Sequence, residues 1–349
     1  MAKTISIIGA SGSVGSTLAA QILRSKLLGR GDRLQLVAHG VSSSSSKLLA
    51  TRIDLMDAFD DDSVDIELVA NIQDTEGDIV VMCAGAGLGG NLKDRRDLGK
   101  FNLPVFEEIA KLCAEVVPSS TFIIVSNPVE LAVEIFAEKL GRERVIGMGA
   151  EQDSLRFARA IAHDLGLSRH EVFASVLGEH GQAMVPLWSS VKVETNDPTI
   201  VNSLAALIER SKEVPLAQRA AKLKSVVFEL LQGEQIEEAY EVTRRALPDA
   251  RIFAQPLITG HAIHSTPNAT ANATLRFLSA TLGTDARPLH GQVVLVGELA
   301  SIRGVCGVPL TVKRDGWELG TLSISSEEQL SQIRLSAASI ANYLMAVRC

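Results

Sequence analysis

At 349 residues, with 46% apolar and 21% charged side chains, the chain has the length of two domains sharing a cleft and the composition of an ordinary globular protein. A formal net charge of -7 with scattered cations excludes a nucleic-acid surface, which needs a clustered basic face, and leaves capture of any acidic metabolite to local arginines. Cys83, Cys113, Cys306 and Cys349 form no C-x-x-C pair and read as reduced structural thiols rather than a metal site; an immediate strand pattern leaves no room for a signal peptide and no apolar run spans a bilayer, so the expected location is the cytoplasm, away from membranes.

Residues 5–8 read as a short strand, followed at once by Gly9-Ala10-Ser11-Gly12-Ser13-Val14-Gly15 and a helical pattern to about residue 28. In this G-x-x-G-x-x-G spacing Gly9 permits a tight exit from the strand, Gly12 lets backbone amides approach a pyrophosphate, and Gly15 lets helix and strand pack closely. Strand before and helix after make it a candidate dinucleotide site. The second strand, residues 33–37, should end in an acid if the adenosine ribose of NAD is held there. It runs instead into Ala38-His39-Gly40, then Val41, five serines from Ser42 to Ser46, and Lys47. A serine tract is commonly a flexible surface loop. The missing acid and the gained polar, basic stretch also describe a pocket for a 2′-phosphate, and on that reading the cofactor is NADP, with NAD the alternative.

Residues 64–70 and 78–84 read as the third and fourth strands, the latter ending in Ala84-Gly85, which should border the same cofactor. Asp94-Arg95-Arg96-Asp97-Leu98 then opens a helix to about residue 117. Arginines at a helix start run against the dipole, and they are either solvated surface or a substrate clamp. A fifth strand, residues 121–125, ends in Ser126-Asn127-Pro128, where Asn127 either caps the next helix or meets a nicotinamide. Residues 145–149 complete a Rossmann-type unit, so the expected division is a dinucleotide-binding domain over 1–150 and an α+β substrate domain over 151–349.

Past residue 150, Asp153 and Arg156 lie three apart on one helix face, a spacing that on its own suits a surface ion pair. A strand over 171–177 delivers Gly178-Glu179-His180-Gly181. A helical region over 200–231 is broken at Pro215, and a further helix begins near Thr266, a candidate cap, with Pro267 suited to its first turn. Strands are expected over 292–297 and 308–312, and a terminal helix over 325–347. The His261-Ala262-Ile263-His264 pair reads as helix entry or interface rather than a metal site.

The glycine turn, Ala84-Gly85, Asp94-Arg95-Arg96-Asp97-Leu98, Ser126-Asn127-Pro128, Asp153-Ser154-Leu155-Arg156 and Leu177-Gly178-Glu179-His180-Gly181, in that order, resemble the lactate/malate dehydrogenase family over essentially the whole chain. The resemblance implies an NAD(P)-dependent L-2-hydroxy acid dehydrogenase with His180 as proton donor and acceptor, and Asp153 as the carboxylate orienting it. Arg156 is then the partner of the substrate carboxylate, Arg95 the loop arginine that polarises the carbonyl, Asn127 a residue near nicotinamide and substrate, and Thr266 a hydroxyl lining the pocket. It implies cofactor contacts from Gly9, Gly12, Ser13, Val14, Gly15, Ala38, Ser42, Ser43, Ala84 and Gly85, no metal, and a homodimer or homotetramer.

Two departures stand out. The family selects its substrate six residues before the loop arginine, where this chain offers Gly89 or, with a one-residue insertion, Leu88, neither able to pair with a second carboxylate. The expectation is weak oxaloacetate turnover and a pocket for an uncharged or bulkier side chain; the alternative is a malate dehydrogenase using Lys93 or Arg96. Ala38, where NAD-dependent members carry aspartate, is the other departure. Metal-dependent glycosidases of this fold need a Cys/His pair that is missing here, and short-chain dehydrogenases need a Tyr-x-x-x-Lys that Tyr240 and Arg244, or Tyr343 and Val347, do not supply. A non-catalytic dinucleotide-binding regulator remains as the alternative outside enzymes.

Overall fold

The computed structural model describes residues 2–38, 43–59, 64–86, 95–263, 265–321, 324 and 326–349, with the side chains of residues 43–45 and 95–96 outside the description. The six short strands are β1 (Thr4–Ile8), β2 (Arg33–Val37), β3 (Asp65–Val69), β4 (Ile79–Met82), β5 (Thr121–Ile124) and β6 (Val145–Gly147); β1, β4, β5 and β6 are mostly apolar and buried throughout, as expected of strands covered on both faces, whereas β2 and the outer β3 alternate apolar with polar residues. They pair in parallel in the order β3-β2-β1-β4-β5-β6. The order reverses between β1 and β4, and ligands in such sheets sit beyond the carboxyl ends of the strands at that reversal.

Helices α1 (Ser13–Arg24) and α2 (Ser43–Phe59) pack on one face, and α3 (Arg95–Val116) and α4 (Val129–Leu140) on the other. Leu18, Ala19 and Ile22 of α1 join one buried cluster, and Phe106 and Ile109 of α3 join the second with Leu131 and Ile135 of α4. The architecture is a doubly wound α/β sheet of Rossmann type.

The rest of the chain forms α5 (Gly149–Leu165), β7 (Val172–Gly178), β8 (Met184–Val193), α6 (Pro198–Lys212), α7 (Leu216–Gln232), α8 (Ile236–Arg245), α9 (Pro248–Ile263), α10 (Pro267–Thr281), β9 (Leu289–Val296), β10 (Arg303–Lys313), β11 (Gly316–Leu319) and α11 (Glu327–Arg348). Its strands are antiparallel and extend the first sheet through β6-β9-β10-β7-β8, with β11 on β10. The join is the single pair Gly147 and Gln292, reinforced where Ala150 N donates to Gln292 Oε1 at 3.0 Å. Among the described residues no helix is long and apolar enough to cross a membrane.

Several expectations need correction. The serine tract is not simply a loop, because α2 starts at Ser43. A run of serines carries little helical signal, and the helix is sustained by Leu48 and Leu55, which bury against the β1–β3 sheet. The helices α8 and α9 and the strands β8 and β11 were not foreseen, and α11 begins two residues later than expected. In α8 Ala239 and Thr243 are buried and Ile236 and Val242 pack partly buried with Ala239, an apolar stripe at helical spacing opposite a charged face.

Candidate active site

The turn after β1 is held open by close backbone approaches. Gly9 has φ +86°, and a Cβ there would lie 2.7 Å from the amide nitrogen of Ala84, two residues past the end of β4. A Cβ on Gly15 would lie 2.7 Å from Ala10 Cα, so α1 and β1 touch through backbone. Gly12 occupies the cap position of α1, no acid stands in the first turn, and Ser16 turns its hydroxyl onto Gly12 O at 2.9 Å. The amides of Ser13 and Val14 therefore begin a helix whose positive end faces no negative side chain of its own first turn, which suits a pyrophosphate.

The N-terminal half of α5 meets the turn after β7. Asp153 is fully buried and spends both oxygens: Oδ2 is 2.7 Å from His180 Nδ1, and Oδ1 accepts from Arg156 Nη1 at 2.6 Å. The pair that spacing alone read as a surface bridge is thus an interior one. His180 keeps 18% of its side chain exposed, and Arg156 keeps 16%, so both reach solvent while their shared carboxylate does not. Burial opposes charge on the imidazole, but Asp153, by charge and hydrogen bond, and Glu130 behind it outweigh that cost, so the imidazolium persists above the ordinary 6.5. Burial likewise opposes the Asp153 carboxylate, and His180 and then Arg156 hold it below its usual range. With Nδ1 committed to Asp153, Nε2 becomes the nitrogen that can exchange a proton with a ligand, and the outer edge of the Arg156 fork can take a carboxylate.

Local sequence explains the placement. α5 opens with Gly149, where a Cβ would lie 2.6 Å from His180 Cγ, so the helix starts with no side chain under the ring. The His180 main chain is pinned from below, its amide donating to Glu130 Oε1 at 2.7 Å, and Ser336 of α11 accepts from Glu179 N at 2.8 Å while donating to Ala183 O. Behind α5, Glu151 is buried against Arg276 and His290, whose Nε2 lies 2.9 Å from Ser175 Oγ, tying α5 to β9 and β7.

Sequence reasoning missed Glu130, Asn102, Gly149 and Gln152. An acid inside the apolar run Val129-Glu130-Leu131-Ala132-Val133 was a usable signal, because a buried carboxylate needs a partner. Asn102, fully buried on α3, bridges the two turns: its Nδ2 donates to Asn127 O at 2.8 Å and its Oδ1 accepts from Ala86 N at 2.9 Å.

Of the other expected residues, Asn127 does not cap α4; Pro128 holds the cap position and the Asn127 side chain is exposed at the carboxyl end of β5. Thr266 holds the cap position of α10 without capping it, its Oγ1 accepting instead from Gln152 Nε2 at 3.0 Å. Ala38 is buried and closes β2 through its amide on Val69 O at 2.9 Å. Ser42, Leu88, Gly89 and Lys93 lie outside the described residues, as do the side chains of Ser43, Arg95 and Arg96, although Arg95 begins α3. His261 lies in the last turn of α9 rather than at a helix entry, and an acid does stand near it, Glu234 at 3.6 Å; His264 is outside the description. Burial pushes the Cys113 and Cys306 thiols up to about 12, which leaves them inert.

Residues 3–147 match the family described as lactate/malate dehydrogenase, NAD binding domain. An L-2-hydroxycarboxylate dehydrogenase (NAD(P)(+)) of Methanocaldococcus jannaschii is 29% identical over 352 residues, 99% of each chain. A malate dehydrogenase of Desulforudis audaxviator is 31% identical over 335 residues, 94% of this chain and 93% of that one. The malate dehydrogenase of Aeropyrum pernix has the same fold, with a TM-score of 0.76 at 24% identity over 98% of this chain and 97% of that one.

Proposed function

The chain belongs to the lactate/malate dehydrogenase family and is an oxidoreductase of that type with a nicotinamide cofactor, and from that premise we propose that it interconverts a 2-keto acid and an L-2-hydroxy acid at His180, Asp153, Arg156 and Arg95. The observation that carries this reading is the buried Asp153 carboxylate bonded to both the His180 imidazole and the Arg156 guanidinium, each of which keeps an exposed edge. The Gly9, Gly12, Ser13, Val14 and Gly15 turn, with Ala84 and Gly85, would hold the nicotinamide dinucleotide, which when bound would supply the hydride for the keto carbon. His180 gives its Nε2 proton to the carbonyl oxygen, and Asp153 stabilises the imidazolium before transfer. Arg156 fixes the substrate carboxylate in one orientation through its planar fork. Arg95, at the start of α3, polarises the carbonyl, and Asn127 faces the nicotinamide and substrate oxygen.

On the same reading, residues 1–150 carry the nucleotide, 151–349 carry the substrate, and the working unit is a homodimer or homotetramer. NADP is favoured over NAD: Ala38 brings no acid to the end of β2, and α2 starts at once with serines, Ser42 and Ser43 among the contacts and Lys47 exposed in its second turn. Leu88 or Gly89 at the selecting position favours an uncharged side chain. A second reading, malate dehydrogenase with Lys93 or Arg96 as the second anchor, draws on the relatives that bear that name. A non-catalytic regulator is disfavoured, since the buried Asp153 carboxylate is shared by an imidazole and a guanidinium that both keep exposed edges, an arrangement dinucleotide binding alone does not require. A steady-state panel of pyruvate, oxaloacetate and longer 2-keto acids with NADH and NADPH tests all of this: uncharged keto acids with NADPH are expected to lead, oxaloacetate preference sinks the Leu88 reading, and NADH preference sinks the 2′-phosphate reading. His180→Asn should abolish turnover and keep cofactor binding; loss of binding makes His180 structural.

A further inference from the structure

Gln152, Thr266 and Thr270 close a ring of three hydrogen bonds. Gln152 Nε2 donates to Thr266 Oγ1 at 3.0 Å, Thr270 Oγ1 donates to Gln152 Oε1 at 3.3 Å, and the two hydroxyls lie 3.2 Å apart. Each hydroxyl carries one proton. The Thr270 proton goes to the amide oxygen, so the bond between the threonines is donated by Thr266. Exchanging the amide oxygen and nitrogen of Gln152 reverses the sense of the ring but still consumes one proton from each hydroxyl within it. Gln152 and Thr270 are 6% and 8% exposed, so water offers them little alternative. The Thr266 proton is therefore committed within the ring, which leaves its hydroxyl able to act toward a ligand only as an acceptor.

The ring stands against the site described above. Gln152 immediately precedes Asp153 and lies one helical turn before Arg156, on the same face of α5. Ser265, next to Thr266, has its hydroxyl 3.5 Å from that of Ser13 at the start of α1. Thr266 thus sits between the glycine turn and the Arg156 face, where the side chain of a 2-keto acid held by Arg156 would extend.

We propose that Gln152 and Thr270 are positioning residues that hold Thr266 as an acceptor-only wall of the substrate pocket, selecting 2-keto acids whose side chain ends in an apolar group or a hydrogen-bond donor and rejecting a second carboxylate. A carboxylate brings only acceptors, and against this wall two lone pairs face each other with no proton between them. A hydroxyl finds its acceptor there, and a methyl group needs no proton. The proposal rests on the reading of His180 and Arg156 as the catalytic site.

The test is kcat/KM for pyruvate, hydroxypyruvate and oxaloacetate in the wild type and in Gln152→Leu, Thr270→Val and Thr270→Ser. The wild type should rank oxaloacetate last. Opening the ring at either end frees the Thr266 proton, so Gln152→Leu and Thr270→Val should each raise the oxaloacetate-to-pyruvate ratio roughly three- to tenfold, chiefly through KM. Thr270→Ser keeps the hydroxyl and should keep the wild-type ratio. A merely structural role lowers all three substrates in parallel, so an unmoved ratio in active variants overturns the ring and leaves the site intact. Oxaloacetate preference in the wild type also overturns it, and a wild type that turns over no 2-keto acid overturns the site and the ring together.

Discussion

A methyl group on Gly149 would lie 2.6 Å from Cγ of His180, so the first residue of α5 and the imidazole compete for the same space. Helix propensity alone favours Gly149→Ala by roughly 1 kcal/mol. Overpacking costs about 1–3 kcal/mol and here acts on a ring that must stay bonded to Asp153. The clash should win: Gly149→Ala is expected to lower Tm by several degrees and kcat by about tenfold or more, with cofactor affinity unchanged. A rise in Tm with full activity would refute the contact.

Glu130 holds the His180 amide at 2.7 Å and adds negative charge beneath the ring. Asp153 and Arg156 on α5 are the other charges acting on that histidine, while Glu179 in the same turn accepts from Ser339 of α11. Keto acid reduction requires the imidazolium, so its rate should stay level below the raised His180 value and fall above it. Glu130→Gln preserves an acceptor but removes the charge, and the fall in the pH profile of kcat/KM should move to lower pH; a profile that does not move assigns Glu130 no electrostatic role.

The same pair shapes stability against pH. The folded value of His180 is raised, so its contribution is complete below 6.5 and lost as pH climbs through the raised value. That of Asp153 is lowered, so its contribution is complete above 3.8 and lost as pH falls through the lowered value. The Tm difference between wild type and Asp153→Asn should therefore be greatest between those limits and narrow on both sides, as differential scanning calorimetry across pH 3 to 9 would record.

Arg156→Lys keeps the charge and loses the fork. Lysine cannot bond Asp153 and a ligand carboxylate in one plane. Substrate KM should rise about a hundredfold, with cofactor KM little changed; an equal rise in both would place Arg156 outside the substrate pocket.

Ala38→Asp restores an acid at the end of β2. It should lower the NADPH-to-NADH ratio of kcat/KM by about tenfold or more, since a carboxylate repels a 2′-phosphate and accepts from ribose hydroxyls. A ratio that stays constant would move the phosphate contact elsewhere.

Local chemistry is what could be read along the chain. The Gly9 turn, the α1 start and the apolar runs of β1, β4 and β5 depend on neighbours within a few residues, so composition and spacing specify them. The serine tract misled for the converse reason, because burial of Leu48 and Leu55 against the sheet sustains α2 while its sequence carries little periodic signal; α8 was legible, with Ile236, Ala239 and Val242 at helical spacing, and was missed. The family motifs likewise pointed to His180, Asp153, Arg156 and Thr266 as candidates without stating how they meet.

The order of motifs by itself determined the α/β sheet, the family and the residue types of the site. Only the tertiary structure decided that Asp153 is a buried carboxylate shared between His180 and Arg156, that Gly149 makes room for the ring, that Glu130 supports it from α4, and that the Thr266 hydroxyl turns to Gln152 instead of capping its own helix. Asp153 and His180 lie 27 residues apart and Gln152 and Thr266 lie 114 apart. At such separations the direction of a hydrogen bond follows from packing, since a buried polar group bonds whichever partner the fold brings within reach.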